Sequence, residues 1–244
     1  MDSPDRAEDS SFSLDRGTLY VVATPLGNLG DITFRCQQAF RKADAVACED
    51  TRVTSRLLQR LNIDPVPTLF SYRDENEAQK APEILEELQQ GKSIVLAADA
   101  GTPTISDPGF RLVRACRKAG IPVIPLPGPS AAITALSVSG CPTDQFLFVG
   151  FLPPKKAARQ RFFEEHHQVP YTLVFYESTH RIEKFLDDLE ATLGPDRTLF
   201  LAREMTKLHE TYLAGTVQTV KSAFARGSKK GEFVICVARD GFTL

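Results

Sequence analysis

Residues 93–126 read SIVLAADAGTPTISDPGFRLVRACRKAGIPVIPL, and their pattern sets the class of the fold. Ser93–Ala97 is a short apolar run rich in strand formers, and Pro122–Leu126 is a second. Between them Phe110–Ala119 carries Leu112, Val113 and Cys116 on one helical face. Asp107 and Pro108 stand where a helix N-cap and a first helical residue are expected. A strand, a helix and a strand in this order form a βαβ unit, whose strands pair in parallel beneath covering helices.

The same alternation extends in both directions. Upstream lie a strand over Leu19–Thr24, a helix capped by Asp31 to about Ala43, a strand over Ala45–Cys48 and a helix over Arg52–Leu61. A weak strand over Thr68–Ser71 and a helix over Glu77–Gln90 follow, ended by Gly91. Downstream, PGPSA opens a helix, and strands are predicted over Phe146–Phe151, Thr172–Tyr176, Thr198–Ala202, Glu210–Leu213 and Gly231–Ala238. Helices are predicted to end near His167 and to span Thr179–Leu193. The expectation is an α/β chain with mostly parallel sheet in two domains, residues 17–127 and 128–244. Residues 1–16 read as a disordered acidic tail.

Composition narrows the function. The 244 residues hold 29 Lys+Arg and 31 Asp+Glu, a formal charge of −2. Residues 1–16 contribute five acids and two bases, which leaves residues 17–244 at +1, a neutral body. That balance excludes indiscriminate RNA binding, which needs a broad basic surface. Five cysteines without a C-x-x-C pair and no secretory signal read as reduced thiols in a cytoplasmic protein. The four histidines lack ligand spacing to any cysteine, so no metal is expected, and no apolar run is long enough to span a bilayer. Gly91-Lys92-Ser93 lacks the earlier glycine of a P-loop, and Gly27-x-x-Gly30 is short of the dinucleotide fingerprint.

Three Gly/Pro-rich loops remain, each at the carboxyl end of a predicted strand: Thr24–Gly30, Ala98–Gly109 and Leu126–Ser130. Ligands of open α/β sheets bind at that edge, although βα turns use the same residues without any ligand. The twelve-residue loop Ala98–Gly109 holds no Lys or Arg, which suits a nucleoside-like ligand without a phosphate chain.

Eight blocks then occur in a specific order: LYVVATPLGNLGDIT, ACEDTR, DAGTPTISDPG, PLPGPSAA, FVGFLP, FYESTHRI, REMTKLHE and KGEF. Together they resemble the RsmI family of the tetrapyrrole-methylase-like superfamily, over residues 17–237. The resemblance implies two α/β domains of the tetrapyrrole methylase (class III) type with S-adenosylmethionine in the cleft between them, and a homodimer. It implies methylation of the ribose 2′-oxygen of cytidine 1402 in 16S rRNA of the small ribosomal subunit. The implied cofactor contacts are Leu26, Ala100, Gly101, Thr102, Ile105, Ser130 and Ala131, with Tyr176 and Ala202 from the second domain. The family reads YESPHR where this chain has Thr179, so a softer turn is expected there, and it continues past KGEF into a helical segment.

For that chemistry the candidate catalytic residues are Glu49, Asp50 and Arg52, with Glu177 and Arg181; Glu204 and Lys207 are secondary. A carboxylate can accept the hydroxyl proton while an arginine holds the adjacent phosphate. Alternatively, Asp50 or Thr51 caps the following helix, and Glu177 and Arg181 form a surface pair. Lys155, Lys156, Arg159 and Arg161, after the Pro153-Pro154 turn, are the candidate RNA contacts. Arg52, Arg56 and Arg60 line one helix face and read by default as solvated. A methylase of a tetrapyrrole or other small molecule, or a non-catalytic cofactor- or ribosome-binding module, would share the fold.

Overall fold

The computed structural model describes residues 12–244. It divides into two compact units: one takes the chain to Pro25 and Leu29–Pro129, the other Leu26–Asn28 and Ser130–Leu244. Residues 1–11 of the acidic tail lie outside the described residues.

The first unit runs β1 (Leu19–Val22), α1 (Phe34–Lys42), β2 (Ala45–Cys48), α2 (Thr51–Arg60), β3 (Thr68–Ser71), α3 (Glu77–Gln89), β4 (Ile94–Ala97), α4 (Phe110–Lys118) and β5 (Val123–Leu126). Its strands form one all-parallel sheet in the order β3-β2-β4-β1-β5. Alternate residues feed two cores, as a period of two demands. Tyr20, Val22, Val46, Cys48, Val95 and Ala97 meet Cys36, Phe40 and Leu58 of α1 and α2. Leu19, Ala45, Ala47, Ile94 and Leu96 meet Ile84, Leu88, Leu112 and Cys116 of α3 and α4.

Register decides where the loops go. Ala97 pairs with Cys48 and with Val22, Cys48 with Ser71, and Val22 with Leu126, so all five strands end level. Adjacent strands β1 and β4 send α1 and α4 to opposite faces, the arrangement that opens a crevice at the carboxyl edge.

Local expectations are corrected in three places. Thr33, not Asp31, caps α1, its Oγ1 accepting the Cys36 N–H at 3.2 Å; Asp31 sits in a preceding 3₁₀ turn. Helix α4 is preceded by Gly109 at φ +134°, and a Cβ there would lie 2.8 Å from Leu96 Cδ2 and from Thr104 Cγ2, so neither Asp107 nor Pro108 starts it. The buried Glu77 of α3 takes the capping role instead, accepting the Gly109 N–H at 2.7 Å. Finally, residues 12–16 are not bare tail. Phe12 and Leu14 pack on the first core, and the Arg35 guanidinium lies 5.5 Å over the Phe12 ring.

The second unit runs α5 (Ala131–Val138), β6 (Phe146–Phe151), α6 (Lys156–Glu165), β7 (Thr172–Ser178), α7 (Ile182–Leu193), β8 (Thr198–Arg203), β9 (Thr211–Thr216), α8 (Val217–Phe224) and β10 (Glu232–Val237). The sheet order is β6-β7-β10-β8-β9, and only β6 and β7 pair in parallel. The expected mostly parallel sheet therefore holds for the first unit alone. The segment Glu204–Glu210 is too short for a crossover helix, so β8 and β9 form an antiparallel hairpin. Helix α8 is an addition to the expected elements: Thr216 caps it, and Val217, Val220 and Phe224 recur at helical spacing. Helices α6, α7 and α8 cover one face of this sheet, and α5 covers the other. No helix among the described residues is long and apolar enough to cross a membrane.

Candidate functional site

The three loops singled out in the sequence follow β1, β4 and β5, which are neighbours in the first sheet. Hydrogen bonds tie them together. Thr24 and Gly101 exchange backbone N–H···O bonds of 2.9 and 3.0 Å, and Thr102 Oγ1 donates to the Pro129 carbonyl at 2.9 Å. Gly128 lies so close to the first loop that a Cβ would meet the Ala23 Cβ at 2.8 Å. Gly101 is left-handed at φ +90°, and so are Thr104 (φ +73°) and Ser106 (φ +64°), which lack glycine's freedom. Such strain, of order 1–3 kcal/mol per residue, clusters at binding sites. Ala100, Gly101, Thr102 and Ile105 all lie on this braced segment, with Ile105 exposed. Its lining is backbone, hydroxyl and apolar side chain, which fits the adenosyl and methionyl parts of S-adenosylmethionine better than a polyphosphate.

In the second unit Ala131 opens α5, and the next N–H, of Ala132, donates to the Tyr176 hydroxyl at 3.1 Å. Val234 of β10 pairs with both Tyr176 and Ala202, so these two expected contacts flank it on the sheet face that carries α5. Phe148 and Phe151 set their edges against the Tyr176 ring, with centroids 4.9 and 5.8 Å away. Ser130 precedes α5, and Leu26 lies on the short segment Leu26–Asn28 that belongs to this unit.

The level strand ends of the first sheet build a second feature. A cavity of about 310 Å³ is lined by Glu49, Asp50, Arg52, Arg73, Asp74, Glu75, Asp99 and Pro108. Glu49 and Asp50 follow β2, Arg73 to Glu75 follow β3, and Asp99 follows β4. Asp99 Oδ1 accepts the Asp50 N–H at 3.1 Å, and Arg73 Nε donates to the Glu49 carbonyl at 3.0 Å. Burial pushes the Glu49 carboxyl upward, and the charges of Asp99 and Asp74 push it further. Asp99 is raised chiefly by burial, against the opposing hydrogen bond from Asp50. Asp50 is instead held low by Arg52, whose Nε and Nη2 reach its carboxylate at 3.0 and 2.6 Å, while it caps α2 through the Arg52 N–H. Glu49, Asp50 and Arg52 are thus brought together as expected. Arg73, Asp74 and Glu75 carry no sequence signal of their own, and Asp99 lies in a loop singled out above; only register brings the four beside Glu49.

Glu177 and Arg181 meet elsewhere. Glu177 is 2 % exposed and pairs across β10 with Phe233, on the sheet face opposite Tyr176 and Ala202. Its Oε1 accepts the Ser178 N–H at 2.8 Å and lies 3.3 Å from Arg181 Nε, while its Oε2 has no hydrogen-bond partner. Burial raises its pKa. Strand alternation therefore buries Glu177 and turns it away from the second unit's expected cofactor contacts. Arg181 is half-buried, so the two do not form the surface pair weighed as the alternative to a catalytic role. Thr179 corrects another expectation: its hydroxyl donates to the Gly231 carbonyl at 2.9 Å and accepts the Gly231 N–H at 2.7 Å, so the turn is tied, not softened.

The basic run also divides. Lys155, Lys156 and Arg161 are exposed. Arg159 is not an RNA contact: it is 4 % exposed, with Nε and Nη2 donating to Asp188 Oδ2 at 2.9 and 2.6 Å and Nη1 to the Pro154 carbonyl at 2.7 Å.

A cation-free, glycine-rich loop edge beside a carboxylate-lined cavity on one parallel sheet has the form of an α/β enzyme for a nucleoside-like cofactor. The family model for Tetrapyrrole (Corrin/Porphyrin) Methylases matches residues 18–221. This chain is 49% identical over 223 residues to a ribosomal RNA small subunit methyltransferase I of Haemophilus influenzae, covering 91% of this chain and 78% of that protein. The methyltransferase CobJ superposes with a TM-score of 0.67 at 18% identity, covering 92% of this chain and 95% of its own. A uroporphyrin-III C-methyltransferase of Thermus thermophilus, solved with S-adenosylhomocysteine, gives 0.60 at 17%, covering 90% and 96%. The chain belongs to the tetrapyrrole methylase family.

Proposed function

We propose that this protein is a cytoplasmic S-adenosylmethionine-dependent methyltransferase that modifies the ribose 2′-oxygen of cytidine 1402 in 16S rRNA. It acts as a homodimer on the small ribosomal subunit. The observation that carries this reading is the cavity at Glu49 and Asp99, to which the loop Ala98–Gly109 itself contributes Asp99 and Pro108. The identity to small-subunit rRNA methyltransferases supports the substrate class.

S-adenosylmethionine supplies an electrophilic methyl carbon on a sulfonium. The loop residues Ala100, Gly101, Thr102 and Ile105, with Leu26, Ser130, Ala131, Tyr176 and Ala202, would hold it. The protein's own work is orientation, for which well-positioned pairs gain roughly 7–11 kcal/mol of barrier. Glu49 accepts the proton of the attacking hydroxyl, a role typically worth roughly 10²–10⁴-fold. Its raised pKa makes it a better base than an exposed glutamate. Arg52 and Arg73 offset the charge of the flanking phosphate. Asp74 and Glu75 suit the exocyclic amino group of cytosine, which is a donor that carboxylates accept. The acidic lining disfavours a tetrapyrrole, whose peripheral carboxylates it would repel.

The test maps 2′-O-methylation on small-subunit rRNA from cells with and without the gene. The target should be unmodified without it and restored by it; a target still methylated in its absence refutes the reading. In vitro, Glu49→Gln should depress methylation while calorimetry shows S-adenosylmethionine affinity unchanged.

A further inference from the structure

The hairpin loop between β8 and β9 combines rigidity with one isolated apolar projection. Glu204 and Thr206 are left-handed at φ +53° and +68° without being glycine. The loop is braced at many points. Glu204 and Glu232 share backbone and side-chain bonds of 2.9 Å, and Lys207 Nζ bridges their carboxylates at 2.9 and 2.8 Å. Glu210 accepts the Thr206 N–H at 2.8 Å and the Tyr212 hydroxyl at 2.9 Å, and Met205 is buried in the core below. From this framework Leu208 projects with 91% of its surface exposed, more than any other large hydrophobic residue described.

Single exposed leucines are ordinary on mobile loops. Here a strained and cross-braced loop holds one in water, which is the arrangement of a preformed contact. Its surroundings are polar, with the carboxylates of Glu204, Glu210 and Glu232 beside Lys207 and Arg203. Arg203 donates to the His209 carbonyl at 2.7 Å and to the Lys230 carbonyl at 3.0 Å, which ties the loop to the segment before β10, where Lys230 is exposed. The loop also adjoins a proposed cofactor segment: a Cβ on Gly27 would lie 2.4 Å from Lys207 Cγ, and Leu26 is next to Gly27. A lone aliphatic side chain amid polar and charged groups of both signs does not match a protein interface, which needs a contiguous patch. It matches the apolar wedges that part stacked bases in nucleic-acid complexes.

We propose that Leu208 enters the base stack beside the target nucleotide and holds that nucleotide unstacked, so that its ribose can reach the methyl donor. This rests on the rRNA reading above. A nucleotide within folded rRNA must be freed from its neighbours first, whereas one in a short unstructured strand is free already.

The experiment compares wild type, Leu208→Ala and Leu208→Met on the small subunit and on a short single-stranded RNA bearing the target. Leu208→Ala should lower kcat/KM on the subunit by on the order of ten-fold or more and change it less than about two-fold on the strand. Leu208→Met should stay near wild type. A 2-aminopurine neighbouring the target in a structured RNA should brighten on binding wild type and stay quenched with Leu208→Ala. Equal losses on both substrates, no loss on the subunit, or a changed oligomeric state of Leu208→Ala would overturn the proposal. Wild type that methylates neither substrate would instead refute the rRNA reading on which it rests.

Discussion

Replacing Arg159 by alanine separates a structural cation from an RNA contact. Its guanidinium makes two charge-assisted hydrogen bonds to Asp188 and a third to the Pro154 carbonyl, and both charged side chains are about 4% exposed. Removing the cation leaves the Asp188 carboxylate buried without its partner, and breaking such a pair costs about 3–5 kcal/mol. At roughly 2–4 °C per kcal/mol for a chain of this size, the melting temperature should fall by about 10 °C. Arg159→Met with Asp188→Leu should recover most of that loss, because a well-packed apolar pair can replace a buried ion pair. Thermal denaturation and rRNA binding across a salt series check both parts. Alanine at Lys155, Lys156 and Arg161 together should leave the melting temperature nearly unchanged. It should reduce the slope of log affinity against log salt by about 2–3, from roughly 0.7–0.9 per phosphate contact. If Arg159→Ala instead melts within about 2 °C of wild type and flattens the salt slope, the guanidinium is an RNA ligand and the structural argument fails.

Two further expectations concern the carboxylates and a turn. Because Glu49 and Asp99 have raised pKa values, the folded state binds their protons more tightly than the unfolded chain does. Stability from this pair is therefore gained as pH falls toward the ordinary carboxylate range and lost as pH rises through the raised values. Asp99→Asn, which keeps an acceptor for the Asp50 N–H, should melt higher than wild type near pH 7, with the gain vanishing near about pH 4; a gain independent of pH would contradict this. Thr179→Val should destabilise by about 1–2 kcal/mol in denaturant titration, since both hydrogen bonds to Gly231 are lost, and no change would show the tie to be idle.

What could be read from the sequence followed from short-range pattern. Strands such as Ala45–Cys48 and Ile94–Ala97 are buried on both faces, so their unbroken apolar runs were enough to place them. The three loops at the carboxyl edge were visible because glycine and proline punctuate them locally. Helix α8 carries an equally local signal in Thr216, Val217, Val220 and Phe224 and was overlooked. The antiparallel second sheet was less accessible, because strand direction depends on connection length and not on composition. Arg159 was misread for a similar reason: its charge is visible in the sequence, but Asp188, from the next helix, is its neighbour only after folding.

The carboxylate cavity shows why the site was harder to read than the fold. Glu49, Arg73 and Asp99 lie in three separate segments, and no spacing in the sequence links one to another. They meet because Cys48, Ser71 and Ala97 stand level across a parallel sheet, so each residue just beyond a strand end shares one edge with the others. That edge concentrates negative charge in a body whose net charge is nearly zero. Under the proposed function, neutrality is a consequence of division: acids gather where the target nucleoside would be read, while exposed bases such as Lys155, Lys156 and Arg161 remain for the phosphates around it. A protein divided in this way gains affinity for a particular folded RNA from a few contacts and gains little for RNA at large.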